Sequence, residues 1–187
     1  GIVSLAPVLA NILKPIVGPV YSALGADPAM FATTLLANDM GGYPLAMSLA
    51  QDPMVGKFAG LILGSMMGAT VVFTIPVALG IIEKEDRPYL AKGVLAGMVA
   101  IPFVCLVGGL VAGFPLMTVL RNLVPIIIFA VLIIIGLWLI PEKMTTGFTY
   151  FGTGVVVVIT IGLAAAIIEN LTGKVIIHGM APIDEGM

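Results

Sequence analysis

The sequence predicts an all-α protein, a polytopic transmembrane helical bundle with a broken or re-entrant helix near residues 39–42. Three observations carry that prediction. Of 187 residues, 60% are hydrophobic and only 10% charged, against roughly 25% charged in an ordinary soluble domain. Charge-free apolar runs recur along the chain at about the 20 residues a helix needs to cross hydrocarbon. One further apolar stretch is interrupted by Asp39 and a Gly41-Gly42 pair.

Eight Lys/Arg and ten Asp/Glu cannot form the polar shell of a water-soluble globule, and the mean hydropathy is +1.19. A soluble enzyme and a disordered regulator are therefore excluded. The net charge of −2 also excludes a nucleic-acid partner, because phosphate binding needs clustered Lys/Arg. The single Cys105 matches no disulfide or metal-ligand pattern and reads as a small buried thiol. Gly1 is not an initiator Met, and the chain starts directly in apolar sequence, so it reads as a piece of a longer protein.

Spans are expected at about 2–24, 28–49 (broken), 58–82, 93–113, 123–140 and 148–168, in one membrane domain. The first is interrupted by Lys14-Pro15 and Pro19 and reads as a kinked helix, with Lys14 either snorkelling or facing a cavity. The third is closed by the cluster Glu83-Lys84-Glu85-Asp86-Arg87. The fifth is the most hydrophobic and ends at Pro141-Glu142-Lys143. Phe148, Tyr150 and Phe151 lead the sixth, as an interfacial aromatic belt would. Lys84, Arg87 and Lys92 are the densest positive charge and put their loop on the cytoplasmic side. Gly60, Gly64 and Gly68 stand four apart, as do Gly93/Gly97 and Gly109/Gly113. Small residues at that period let helices approach closely in lipid. Ser65 reads as a packing residue, Glu169 as interfacial, and the tail 172–187 with His178 as loop.

The chemistry concentrates in residues 27–44. Asp27-Pro28 is a good helix start, with Asp at the N-cap and Pro in the first turn. The helix is expected to run to about Met40, break at Gly41-Gly42 and resume at Pro44, with Tyr43 pushed out of the helical region by the proline after it. Transporters build mid-membrane sites from broken helices of this kind. Asp39 is the residue of interest: a carboxylate near the bilayer centre costs at least ~2.5–3.5 kcal/mol on insertion scales. At the C-terminal end of a half-helix the macrodipole would add to that penalty. Such a site is suited to a cation: an organic amine, Na⁺ or a proton. Asn38 and Thr34 could hydrogen-bond a hydroxyl, Phe31 or Tyr43 could face an ammonium through the ring, and Gly41 and Gly42 would expose carbonyls. An ordinary solvated turn at the interface is the competing reading. No catalytic residue, metal site or cofactor is expected.

Several stretches resemble the ethanolamine permease family, the ethanolamine utilization protein EutH. They are residues 35–42 (LLANDMGG), 61–83 (LILGSMMGATVVFTIPVALGIIE), 89–97 (YLAKGVLAG), 140–144 (IPEKM) and 159–166 (ITIGLAAA). The resemblance implies a multi-pass protein of the bacterial cytoplasmic (inner) membrane that carries ethanolamine inward. It assigns no site residue, so Asp39 stands on its own chemistry. The expected function is a permease for a small organic cation, with the lipid bilayer and ethanolamine as partners and homo-oligomerisation left open. The alternative is a non-transporting membrane scaffold or assembly subunit that uses its GxxxG faces for partners.

Overall fold

The computed structural model describes residues 2–173; His178 and the Asp184-Glu185 pair lie outside the described residues. Regular structure among them is entirely helical. Helix α1 is Ile2–Ala23 and continues through Lys14-Pro15 and Pro19, with Lys14 exposed. Two short helices follow, α2 (Ala29–Leu35) and α3 (Tyr43–Leu49). Four long helices follow among the described residues: α4 (Pro53–Ile81), α5 (Arg87–Val111), α6 (Leu116–Leu139) and α7 (Pro141–Thr172). Each of these four is long and apolar enough to cross a membrane.

The long helices reach past the charge-free runs. Helix α5 begins at Arg87-Pro88 and α7 at Pro141, each with proline in its first turn, while α6 starts behind Pro115. Proline there lacks only an N–H that a helix leaves unbonded anyway. Charged residues at these ends interrupt the apolar pattern without interrupting the helix. Asp52 caps α4 by accepting the Met54 N–H at 2.8 Å. At the other end of α4, Arg87 donates to the Leu79 carbonyl at 3.1 Å, a cation where the helix dipole is negative.

The core runs through the middle of the bundle. Met30, Leu45, Leu49, Phe58, Leu63, Met67, Ile75, Leu123 and Ile126 are almost fully enclosed. Phe58 meets Phe114 edge-on at 5.5 Å between ring centroids, and Gly109 leaves room for both Phe58 and Val119. Cys105 is buried beside Met66. Outside, large apolar residues such as Phe103, Trp138, Tyr150 and Leu171 are exposed. That is the inverse of a soluble surface and fits hydrocarbon as the solvent.

The glycine repeats divide. Gly60, Gly64 and Gly68 are buried against other residues, whereas Gly93 and Gly97 face open space and Gly113 is a left-handed turn glycine at φ +85°. Ser65 does not pack inward: it is exposed and donates to the Ile62 carbonyl of its own helix. Residues Ala59–Gly68 and Thr70–Thr74 of α4 are π-helical, a wide form that is rare and tends to mark functional segments.

Candidate functional site

Helices α2 and α3 form a re-entrant hairpin. Its base is defined by Asp27, whose Oδ1 accepts the Ala29 N–H at 2.8 Å while Oδ2 accepts the Gln51 and Asp52 N–H groups at 2.9 Å each. The start of α2 and the end of α3 therefore lie side by side, and the chain between them turns back at a tip formed by residues 36–42.

The break comes earlier than the sequence suggests. Helix α2 stops at Leu35, and Leu36 (φ −118°, ψ 136°) and Ala37 (φ −64°, ψ 153°) are extended. A single wide turn covers Asn38–Gly42. The Ala37 carbonyl accepts both Met40 N–H (3.1 Å) and Gly42 N–H (2.9 Å), and Gly41 sits at φ +95°. Only glycine adopts that conformation without strain, so Gly41 enables the turn. Tyr43 is helical (φ −63°, ψ −56°), not extended as expected from Pro44. Its N–H closes the wide turn onto the Asn38 carbonyl and its ring lies against Gly60, and these contacts outweigh the local bias.

The tip is seated on the glycine stripe of α4. A Cβ on Gly68 would lie 1.9 Å from the Leu36 carbonyl oxygen; one on Gly64 would lie 3.1 Å from the Asn38 nitrogen and 3.2 Å from Thr33 Cγ2. A Cβ on Gly60 would meet the Tyr43 ring at 2.5 Å. Gly68 stands 15 residues from Pro53 and 13 from Ile81, so the tip meets α4 halfway along. An independent estimate agrees: the 7 residues of α2 rise about 10 Å and two extended residues add about 7 Å, roughly half of a 30 Å hydrocarbon core.

Asp39 is exposed at this tip, and its carboxylate accepts no hydrogen bond from the described residues. The electrostatics differ from the sequence expectation. The tip joins the C-terminal end of α2 to the N-terminal end of α3, so opposite dipole ends meet beside Asp39 and largely cancel. The half-helix dipoles therefore add no net penalty at Asp39. Asn38 is half-buried next to it, and Gly41 and Gly42 are buried in the turn.

Phe31 and Thr34 share a face of α2, but that face turns toward α1 and α6. Phe31 meets Tyr21 edge-on at 6.1 Å. Thr34 donates to the Met30 carbonyl at 2.7 Å. Both line a cleft of about 270 Å³ with Pro125, Ile128 and Phe129. Because the helix ends at Leu35, helical spacing does not carry that face on to Asn38 and Asp39. The residue that sequence reasoning missed is Thr33: it is fully buried, its hydroxyl has no partner among the described residues, and its methyl lies beside Gly64, as the Asn38 backbone does. Nothing in the local sequence distinguishes it from Thr34. Asp27 and Asn122, both buried, were also missed as a pair, since 95 positions separate them.

Spanning helices, a lipid-like exterior and a hairpin that dips halfway define a multi-pass membrane protein. Comparison with known proteins narrows that class. The chain belongs to the EutH family, described as ethanolamine utilisation protein, whose profile matches residues 1–187. It is 67% identical over 187 residues to the probable ethanolamine permease EutH of Listeria monocytogenes, covering 100% of this chain and 50% of that protein. It is 54% identical over the same length to the uncharacterized protein YxeR of Bacillus subtilis, again covering 50% of it. The probable ethanolamine permease EutH of Salmonella typhimurium is 53% identical over 196 residues, 98% of this chain and 48% of that protein. The chain spans about half the length of the curated relatives it matches. No solved structure matches it.

Proposed function

We propose that this chain belongs to a permease of the bacterial cytoplasmic membrane that takes up a small organic cation, ethanolamine, and that the hairpin tip holds the substrate. Asp39 is the counter-ion for the ammonium. Asn38 is the partner for the hydroxyl. Gly41 and Gly42 bring peptide groups close to the ligand and Tyr43 stands beside the turn, whereas Phe31 and Thr34 face α1 and α6 and lie outside the site. The observation that carries the reading is an unpartnered carboxylate on a broken helix at half the depth of a membrane-crossing helix. A charge at that depth costs too much to keep without a role, and ethanolamine is protonated at neutral pH. The relatives from Listeria and Salmonella, named probable ethanolamine permeases, support the substrate.

The scaffold reading loses its main support, because the Gly60-Gly64-Gly68 face is occupied by the chain's own hairpin. The test is ethanolamine uptake by the whole protein in vesicles at neutral pH, wild type against Asp39→Asn. Uptake is expected to fall about tenfold or more, corresponding to about 1.4 kcal/mol or more of lost charge pairing. Unchanged uptake removes Asp39 from the mechanism.

A further inference from the structure

The hairpin is tied down at its base by one side chain, and that side chain is not at the tip. Asp27 is 8% exposed and its carboxylate takes three backbone N–H groups: Ala29 on Oδ1, Gln51 and Asp52 on Oδ2. Its own N–H donates to Asn122 Oδ1 on α6 at 2.7 Å. Asn122 is 5% exposed and is oriented by its Nδ2, which donates to the Thr118 carbonyl at 2.8 Å. Next to this junction Arg121 Nε donates to the Gly25 carbonyl. The start of α2, the end of α3, the cap of α4 and the first turns of α6 thus converge on Asp27.

The residue type matters. An ionised carboxylate only accepts, which suits a position facing three donors. Asparagine has the same shape but one amide oxygen. Turned one way, its NH₂ faces the Gln51 and Asp52 donors; turned the other, it faces Ala29. Glutamate places the oxygens one methylene too far out. The link to α6 is separate, because it uses the Asp27 backbone and the Asn122 side chain. The junction borders a polar cavity of about 310 Å³ that includes Ser22, Gln51, Asp52 and Arg121.

We infer that Asp27 is a positioning residue: by holding both half-helices to each other and to α6, it sets the depth and direction at which the hairpin presents Asp39. Only two extended residues and one turn separate α2 from Asp39, so a tilt of the hairpin at its base moves the tip. The consequence for transport rests on the reading of Asp39 as counter-ion; the positional claim does not.

The experiment uses the whole protein in lipid vesicles, with native cysteines replaced and Asp39→Cys introduced. It measures how fast a water-soluble maleimide labels that thiol, with a second thiol at Lys84→Cys as a reference outside the hairpin. Adding Asp27→Asn or Asn122→Leu is expected to change labelling at position 39 about fivefold, as loss of one to two net hydrogen bonds allows, and to leave position 84 unchanged. In parallel, ethanolamine uptake by Asp27→Asn with Asp39 intact is expected to show a raised KM at equal membrane content.

Labelling at position 39 that is unaffected by both Asp27→Asn and Asn122→Leu overturns the inference. Changed labelling with unchanged uptake upholds the positional role and removes Asp39 from transport instead. If Asp27→Asn does not accumulate in the membrane, Asn122→Leu alone decides the matter on the same criterion.

Discussion

The hairpin carries two aspartates, 12 positions apart, and treats them in opposite ways. Asp27 at the base is buried and saturated by three N–H donors. Asp39 at the tip is exposed and has no donor among the described residues. A carboxylate removed from water is stable only when its acceptors are filled. Asp27 meets that condition within the chain. On the proposed function, Asp39 meets it when a cation arrives, so that the base is structure and the tip a place for a ligand, although the same residue type serves both. The glycines of α4 and α5 repeat the contrast: one set is filled by the hairpin, while Gly93 and Gly97 touch nothing.

The largest effect is expected from Gly68→Ala. Its Cβ would sit 1.9 Å from the Leu36 carbonyl, a backbone collision that rotamer change cannot relieve. The cost should exceed the ~1–3 kcal/mol typical of an overpacked site, and the yield of folded protein in detergent should collapse. Next comes Asp27→Ala, which strands three backbone N–H groups. At roughly 1 kcal/mol or more for each stranded donor, thermal unfolding should report a loss of about 3 kcal/mol.

Asp39→Ala sharpens the comparison: with no partner to lose, its unfolding should stay within about 0.5 kcal/mol of wild type even as uptake fails. Equal destabilisation by the two alanine variants would erase the distinction between base and tip. The smallest effect belongs to Gly97→Ala. Nothing lies within 4 Å of its Cβ, so folded yield should hold, with a gain of up to about 1 kcal/mol from helix propensity. A loss on the scale of Gly68→Ala would mean that the α5 glycines are packed in the membrane after all.

Much of this could be read along the chain because the relevant energies are local. A run of apolar residues without charge declares its solvent whatever it packs against. Asp39 beside Gly41-Gly42 declares a break, since a carboxylate and a flexible pair in apolar sequence have few other uses. The detail of the break was less accessible. The expected helix to Met40 ends at Leu35, because the Leu36 and Ala37 backbone lies against Gly68 and the Ala37 carbonyl accepts two bonds from the tip. That early stop separates Phe31 and Thr34, which face α1 and α6, from Asn38 at the tip. Tyr43 becomes helical for the same kind of reason: a contact with Gly60, 17 positions away, outweighs its neighbour Pro44.

The sequence by itself determined the membrane, the helical class and the family resemblance, and it singled out Asp39 as a candidate, because hydropathy and the penalty for a buried charge depend on residue type and immediate neighbours. Only the tertiary structure decided that the broken helix is a hairpin, that Gly60, Gly64 and Gly68 are its seat and that Asp27 and Asn122 are its anchor. Those depend on which backbones approach within a few ångströms, and residues 95 positions apart carry no mark in the sequence that they will meet.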